Sequence, residues 1–238
     1  MFYYGLDWTF RAIIIPCMIL SLWASASLKR NYRKYSNQMS MRRITGAEAA
    51  QRVLSNHGIH NVRIERVKGN LTDHYDPKTN VIRLSDGVFD STSTAAIGVA
   101  CHEAGHAVQY AQNYGPIRLR AAIIPATNLG SKMAMPLIFL GLVLSYFSNY
   151  ASWSTYIIYF GIACFSLSFI FQLLTLPVEF NASRRAIQTI EDVNILTEDE
   201  QIGAKRTLRS AAMTYLVATI AALGQVLRLI ILFGRRKK

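Results

Sequence analysis

Long runs without charged side chains dominate the hydrophobic pattern of the chain. Residues 8–28 are mostly apolar, no charge occurs between Lys132 and Glu179, and residues 210–234 form a last apolar run. About 20 apolar residues suffice for an α-helix to cross the hydrocarbon core of a bilayer. The pattern therefore predicts a transmembrane helix at 8–28, a transmembrane hairpin at 133–176 and a fourth helix at 210–234.

The predicted hairpin divides into two arms, at 133–150 and 153–176. A polar and aromatic stretch, 148–153, lies between the arms and is typical of a turn at a membrane surface. Such a hairpin returns the chain to the side of the membrane from which it started. The fourth apolar run contains Arg228, so an interfacial or re-entrant helix is the alternative to a spanning one there.

The first apolar run has two interpretations. Ala24-Ser25-Ala26 is the kind of small-residue site that signal peptidase cleaves, but Asp7 precedes the run where a signal peptide carries positive charge. A basic cluster also follows the run directly and resists translocation. We therefore expect an uncleaved anchor with its N-terminus outside. The cluster consists of Lys29, Arg30, Arg33 and Lys34.

The polar region 44–132 begins with a pattern typical of a soluble helix. Residues 44–57 place apolar side chains on one helical face, and Gly58 follows them. Thr45 and Glu48 have the spacing of a capping box, in which each side chain bonds the backbone N–H of the other residue. The sequence therefore predicts an amphipathic helix that starts at Thr45.

Strand patterns and a second helix follow within this region. Residues 62–67 alternate between apolar and polar, and residues 72–75 and 81–84 flank a turn rich in Asp, Pro and Asn. A helix from Ala95 to about Gln112 comes next, before a Gly-Pro pair that stops it. Together these elements predict a small α+β domain. A further helix is expected at 178–191, after the hairpin, and a polar turn around 194–200 follows it within the segment 177–209.

Composition and charge support a membrane protein over a nucleic-acid-binding one. The mean hydropathy is +0.20, 51% of the residues are hydrophobic, and the formal net charge is +12. The basic residues lie mostly beside the apolar runs, as membrane-flanking residues do, and no nucleic-acid recognition motif accompanies them. The cysteines are isolated, so neither a disulfide framework nor a cysteine metal site is predicted. They are Cys17, Cys101 and Cys164.

The basic residues near the span ends are distributed unequally between the two sides of the predicted membrane. Because cytoplasmic flanks carry the excess of Lys and Arg, the region 44–132 should face the cytosol. The tail 235–238 conflicts with this rule if the last run spans, since its four charges then end outside. Near the span ends, fourteen basic residues lie on the side of region 44–132: Lys29, Arg30, Arg33, Lys34, Arg42, Arg43, Arg118, Arg120, Lys132, Arg184, Arg185, Lys205, Arg206 and Arg209.

The candidate chemistry lies in the second predicted helix of this region. His102 and His106 are four residues apart, so on a helix their imidazoles converge from one face. Two imidazoles are half of a tetrahedral zinc site, and a catalytic site leaves one position open for water. Glu103 follows the first histidine and has the position of a general base that takes a proton from that water. The motif predicts a hydrolytic zinc site.

Glu179 is the best candidate for a third zinc ligand. It is the first charged residue after the hairpin, lies on a predicted helix and emerges on the same side as the motif. The alternative is an interfacial carboxylate that pairs with Arg184 or Arg185. The other three histidines are weaker candidates, because histidines in turns and on exposed strands are usually surface residues. They are His57, His60 and His74.

The order of these segments resembles that of the gluzincin membrane proteases, which include the HtpX-type quality-control proteases and the CaaX prenyl-protein proteases. Along nearly its full length the chain is most similar to the YugP-type neutral zinc metallopeptidases of bacteria. Segments 1–5, 71–77 and 176–183 are typical of that family. The resemblance implies a multi-pass protein of the bacterial cytoplasmic membrane. It also implies zinc with the ligands His102, His106 and Glu179, and Glu103 as the base.

The resemblance further implies a polypeptide substrate that pairs with the strand at 72–75 through backbone hydrogen bonds. His74 and Asn181 are then candidates for stabilising the oxyanion, although His74 is equally explained as a surface histidine. One position departs from the wider gluzincins, which usually place an Asp four residues after the glutamate ligand. Ser183 stands there, and its hydroxyl is a weaker acceptor for a ligand histidine.

We therefore expect a mainly α membrane protein. Four transmembrane helices should accompany a small α+β zincin-like domain at 44–132 that carries the HExxH helix, and a cytosolic helix at 177–209 should supply the third ligand. The expected function is that of a zinc-dependent metalloendopeptidase, which cleaves membrane or membrane-proximal polypeptides in quality control or processing. The alternative is a non-proteolytic, zinc-dependent membrane scaffold or regulator. Loss of Glu103 or of a ligand would favour that alternative, and the sequence retains them.

Overall fold

The computed structural model describes residues 8–147 and 151–234. The segment 1–5, the centre of the hairpin turn at 148–150 and the basic tail at 235–238 lie outside the described residues. The elements, in chain order, are α1 (Ile15–Ser36, preceded by the π-helical turn Phe10–Ile14), α2 (Gly46–Asn56), β1 (Arg63–Val67), β2 (His74–Asp76), β3 (Val81–Ser85), α3 (Asp86–Phe89), α4 (Thr94–Ala111), α5 (Gly115–Leu144), α6 (Ala151–Asp192) and α7 (Glu198–Gly234).

The expected mainly α architecture is confirmed. Within the described residues four helices are long and apolar enough to cross a membrane: α1 with its π-helical turn, α5, α6 and α7. The predicted continuation of the helix beyond Pro177 is confirmed, since α6 extends to Asp192. The starts of α5 at Gly115 and of α7 at Glu198 are earlier than those of the predicted spans. Hydropathy marks the part of a helix that suits a bilayer, whereas the helical backbone extends into the polar sequence on either side. Pro116 fits the first turn of α5, where no backbone donor is needed.

The helix α2, which is the first helix of region 44–132, has the predicted N-terminal cap. The Thr45 hydroxyl accepts the Glu48 N–H at 3.2 Å, and the Glu48 carboxylate accepts the Thr45 N–H at 2.9 Å. This reciprocal pair satisfies two backbone donors that a helix start leaves without partners. The apolar face that the cap orients is buried, and it consists of Ala49, Ala50, Val53 and Leu54.

The sheet has three strands in the order β1-β3-β2. The predicted hairpin is confirmed, since β2 and β3 pair antiparallel with His74 opposite Arg83 and Asp76 opposite Val81. The first strand adds to the other side of β3 in parallel. The central strand therefore has paired neighbours on both sides, and β2 is an edge strand of this sheet.

The chain forms two compact units. The first, called the mixed unit, comprises Ala24–Arg118 and Pro177–Thr214, and the second, called the helical unit, takes the remaining residues. The core of the mixed unit is built from α2, β3, α4 and the parts of α6 and α7 that belong to it. Inside the helical unit α5 and α6 approach closely, because a Cβ at Gly161 would lie 3.0 Å from the Ala134 carbonyl oxygen.

Candidate metal site

The helix α4 carries the two histidines of the motif. Its N-cap is Ser93, whose hydroxyl accepts the Ala96 N–H at 3.3 Å. The helix body is rich in alanine, which has the highest helix propensity. Most of α4 is buried, but the side chains of His102 and His106 are 14% and 12% exposed. The two imidazoles therefore share a helix face with narrow access to solvent.

A glycine on α4 allows α6 to approach this face. A Cβ added at Gly105 would lie 2.7 Å from the carbonyl oxygen of Ala182, closer than real Cβ atoms come. Gly105 lies beside His106 on its helix, and Ala182 lies between Glu179 and Ser183 on the facing turn of α6. Because the two backbones nearly touch, side chains on the two facing surfaces come within bonding distance.

Three potential ligand side chains converge where these helices meet. The Nε2 atom of His102 lies 3.2 Å from Oε2 of Glu179, and Nε2 of His106 lies 3.6 Å from the same oxygen. The Glu179 side chain is only 3% exposed. One ligand atom from each residue lies within 4.8 Å of the other two. The alternative partner Arg185 instead donates to Asn181 and Gln112.

The donor set and its spacing fit a zinc ion. Zinc accepts imidazole nitrogen and carboxylate oxygen at about 2.0–2.2 Å, so neighbouring ligand atoms of a tetrahedral site stand about 3.3–3.6 Å apart. The separations of 3.2 and 3.6 Å between the histidine nitrogens and the Glu179 oxygen lie close to this range. The donor atoms and these two separations therefore fit the ion.

The electrostatics of the site suit a cation. Burial lowers the pKa of His106, but the hydrogen bond to Glu179 and the charges of Glu103 and Glu179 raise that pKa by more, so the net shift is upward. A site that draws a proton onto a buried imidazole has an excess of negative charge. Burial also raises the pKa of Cys101, so this neighbouring thiol stays protonated and does not compete as a thiolate ligand.

Each ligand histidine has a second polar contact on its Nδ1 atom. The Ser183 hydroxyl lies 3.1 Å from Nδ1 of His102, and the Gln109 side-chain oxygen lies 3.0 Å from Nδ1 of His106. Ser183 is expected from the sequence to have such a role, whereas Gln109 is not among the predicted site residues. The spacing of Gln109, three residues after His106 on one helix, is the signal that would have indicated it.

Glu103 contacts the edge of the sheet. Its Oε2 atom accepts the backbone N–H of Tyr75 at 3.1 Å. Tyr75 stands opposite Ile82 in the β2–β3 pair, and its N–H is directed to Glu103 on the outer edge of β2. The carboxylate of the motif therefore lies beside β2, the strand at which a substrate is expected to pair.

The two candidate oxyanion donors have contacts of other kinds. His74 is exposed, and its Nδ1 atom lies 2.7 Å from the Thr72 carbonyl oxygen. The side-chain oxygen of Asn181 accepts from Gln109 at 3.0 Å and from Arg185 at 2.7 Å. The structure brings Asn181 into the surroundings of His106 through Gln109, whereas the His74 ring contacts the backbone of Thr72, just before its strand.

Comparisons with known proteins cover nearly the whole chain. The family model described as "Putative neutral zinc metallopeptidase" matches residues 10–234. The protein named "Putative membrane protease YugP" of Bacillus subtilis (strain 168) is 42% identical over 221 residues, which is 93% of this chain and 95% of that protein. No solved structure matches the chain. The matched residues include every side chain of the candidate metal site.

Proposed function

The chain belongs to the neutral zinc metallopeptidase family, and on that premise we propose that it is a zinc-dependent endopeptidase of the membrane. Its metal ligands in this proposal are His102, His106 and Glu179. The observation that carries the proposal is the convergence of these side chains from two helices on a nearly buried point. The Oε2 atom of Glu179 lies 3.2 Å from Nε2 of His102 and 3.6 Å from Nε2 of His106. Such convergence of residues far apart in sequence requires the whole mixed unit to fold around it.

Glu103 is the proposed general base. Zinc, when bound, supplies Lewis acidity that makes water easier to deprotonate and a peptide carbonyl easier to attack. The carboxylate of Glu103 takes the proton from the attacking water and passes it to the leaving amine. The Tyr75 N–H holds one oxygen of this carboxylate, which leaves the other oxygen for the proton.

The proposed substrate is a polypeptide in an extended conformation. The edge strand β2 has one paired side in the sheet, and its other side is adjacent to Glu103. A peptide that adds to this edge beside the Tyr75 N–H, which Glu103 occupies, would be held by backbone hydrogen bonds with little dependence on its side chains. His74 and Asn181 remain candidates for oxyanion stabilisation. For Asn181 this role falls to the amide nitrogen, because its oxygen is already shared by two donors.

We propose that the site faces the cytosol from the bacterial cytoplasmic membrane. The fourteen basic residues near the span ends on the side of region 44–132 support this orientation. Glu179 follows the uncharged stretch of the hairpin directly, so the proposed ligand stands close to the end of an apolar run. The preferred substrates are then membrane-embedded or membrane-proximal polypeptides, and the proposed role is in protein quality control or processing.

Cleavage by the purified protein tests the proposal. The full chain in detergent should cleave a casein-type substrate, lose this activity when a chelator removes the metal, and regain it with added zinc. A protein that binds zinc and cleaves neither casein nor a membrane-anchored substrate would instead be the non-proteolytic scaffold or regulator. A protein that cleaves equally well after complete metal removal would contradict the proposed chemistry.

A further inference from the structure

Gln109 is a fully buried polar side chain next to the candidate metal site. Its exposed fraction is 0%, and burying an amide is costly unless its polar atoms have partners. Its oxygen lies 3.0 Å from Nδ1 of His106. Its nitrogen donates to the Val178 carbonyl at 2.8 Å and to the Asn181 side-chain oxygen at 3.0 Å. Every polar atom of this amide is therefore engaged, and one contact leads to a proposed ligand.

The chemistry of its neighbours fixes which way the Gln109 amide points. A guanidinium only donates hydrogen bonds, so the Asn181 atom that faces Nε of Arg185 at 2.7 Å must be the oxygen. The same oxygen faces Gln109, as does the Val178 carbonyl, which only accepts. Gln109 must therefore direct its nitrogen toward these two acceptors. Its own oxygen is left to face His106.

The orientation of the amide in turn determines the tautomer of His106. An amide oxygen only accepts, so Nδ1 of His106 must carry the proton that bonds to it. In the neutral ring the lone pair is then on Nε2, the atom that lies 3.6 Å from Glu179. A metal ligand needs a free lone pair directed at the ion, and its other nitrogen is usually held by such a contact.

We propose that Arg185, Asn181 and Gln109 form a relay that holds His106 in the Nδ1–H tautomer, with Nε2 ready for zinc. Gln109 is a positioning residue in this scheme. The inference rests on the proposed function, since it concerns the ion that the ligands would bind. It adds a residue and a charge outside the HExxH motif to the requirements of the site.

The contact on the other histidine lacks this directionality. The Ser183 hydroxyl, 3.1 Å from Nδ1 of His102, can donate or accept and so permits either tautomer. The relay therefore fixes the tautomer of His106, whereas the tautomer of His102 is not fixed by its hydroxyl partner. Loss of the Gln109 oxygen should weaken zinc binding more than replacement of Ser183 by alanine does.

Two substitutions of Gln109 separate positioning from packing. Gln109→Glu and Gln109→Met both remove the donors to Val178 and Asn181, but only the glutamate keeps an acceptor for His106. In the full-length protein, zinc affinity is measured by chelator competition, and folding by thermal unfolding without metal. Gln109→Met should weaken zinc binding about 10- to 100-fold, and Gln109→Glu by about threefold or less. An equal loss of zinc affinity in the two variants would mean that Gln109 serves only as a hydrogen-bond donor to Val178 and Asn181. That result would overturn the proposal.

The role of Arg185 in the relay is tested by comparison with its neighbour Arg184. Arg185→Met releases the Asn181 amide to turn, whereas Arg184→Met removes the same charge from an exposed arginine with no recorded bond to Asn181. We expect weaker zinc binding in the first variant and unchanged binding in the second. Equal effects of the two substitutions would reduce the role of Arg185 to general electrostatics and would contradict the relay.

The tautomer can be read without any metal. Nitrogen-15 NMR of the histidine side chains in the metal-free protein, with neutral rings, should show the protonated nitrogen of His106 at Nδ1. The His106 signals are identified by their loss in His106→Gln. Arg185→Met should add signals of the Nε2–H form. An Nε2–H ring in the wild type would overturn the inference even if zinc binds normally. An Nδ1–H ring in a protein that binds no zinc would support the relay and refute the proposed function.

Discussion

At the residue scale, the carboxylate of Glu103 is the group for which the proposed hydrolysis has no substitute. Glu103→Gln keeps the size of the side chain and can still accept the Tyr75 N–H, but an amide cannot take a proton from water. We expect zinc content to be unchanged and peptide cleavage to fall by a factor of about 100 or more, the range for loss of a general base. Metal analysis and a cleavage assay on the same preparation check both parts.

The control for this substitution is Glu65→Gln. Glu65 is a strand residue whose side chain is 41% exposed and pairs with Arg63, so its neutralisation should leave cleavage unchanged. Wild-type cleavage by Glu103→Gln would show that another group moves the proton.

The residues of the site differ in how far the sequence alone could indicate them. His102, Glu103 and His106 follow from a spacing that brings both histidines to one face of a helix, and Glu179 follows from its place after the hairpin. Gln109 was missed, although its helical spacing from His106 is visible. Its partners Val178 and Asn181 come from a distant segment, so only the folded chain reveals that its amide is buried and directed.

At the scale of elements, the site depends on the close approach of α4 and α6. Gly105→Ala would place a methyl group 2.7 Å from the Ala182 carbonyl oxygen, and a backbone atom cannot move aside as a flexible side chain can. Overpacking of this kind costs about 1–3 kcal/mol, which exceeds the gain of up to about 1 kcal/mol from the higher helix propensity of alanine. We expect a lower unfolding temperature and weaker zinc binding, measured by thermal unfolding and chelator competition.

A matched substitution at a helix glycine without neighbours separates the clash from the change of residue type. A Cβ at Gly115 would meet no atom within 4 Å, so Gly115→Ala should leave stability and zinc binding unchanged or slightly improved. If both alanine variants behave like the wild type, the two helices do not pack as closely as the structure has them.

The features that depend on local interactions could be predicted from the sequence, whereas a helix start within polar sequence and the pairing of distant strands could not. The capping box at Thr45 and the β2–β3 hairpin were recognisable because capping and turn formation are local. The start of α5 at Gly115 was not, since Arg118 and Arg120 look like loop charges in a hydropathy pattern although a helix carries them equally well. The parallel pairing of β1 with β3 was also missed, because no local signal encodes it.

At the scale of the whole molecule, the account requires the region between the first two apolar runs to be cytosolic. A reporter inserted in the turn at Gly69 and Asn70 should behave as cytosolic in intact cells, because the basic residues favour that side. A second reporter between residues 148 and 150, at the opposite end of the predicted hairpin, should behave as external. Exposure of the first reporter outside the cell would overturn the orientation and the inferred pool of substrates.

The zinc affinity of Glu179→Ala tests the central claim most directly, because Glu179 reaches the two histidines only if the entire fold is correct. The wild-type protein should bind about one zinc per chain, as a site with three protein ligands does. Glu179→Ala should bind zinc far more weakly. Glu191 is an exposed glutamate on α6, the helix of Glu179, and it pairs with Lys205 of α7. Glu191→Ala should therefore keep wild-type binding. Full zinc occupancy and wild-type affinity in Glu179→Ala would contradict the three-ligand site and the peptidase mechanism built on it.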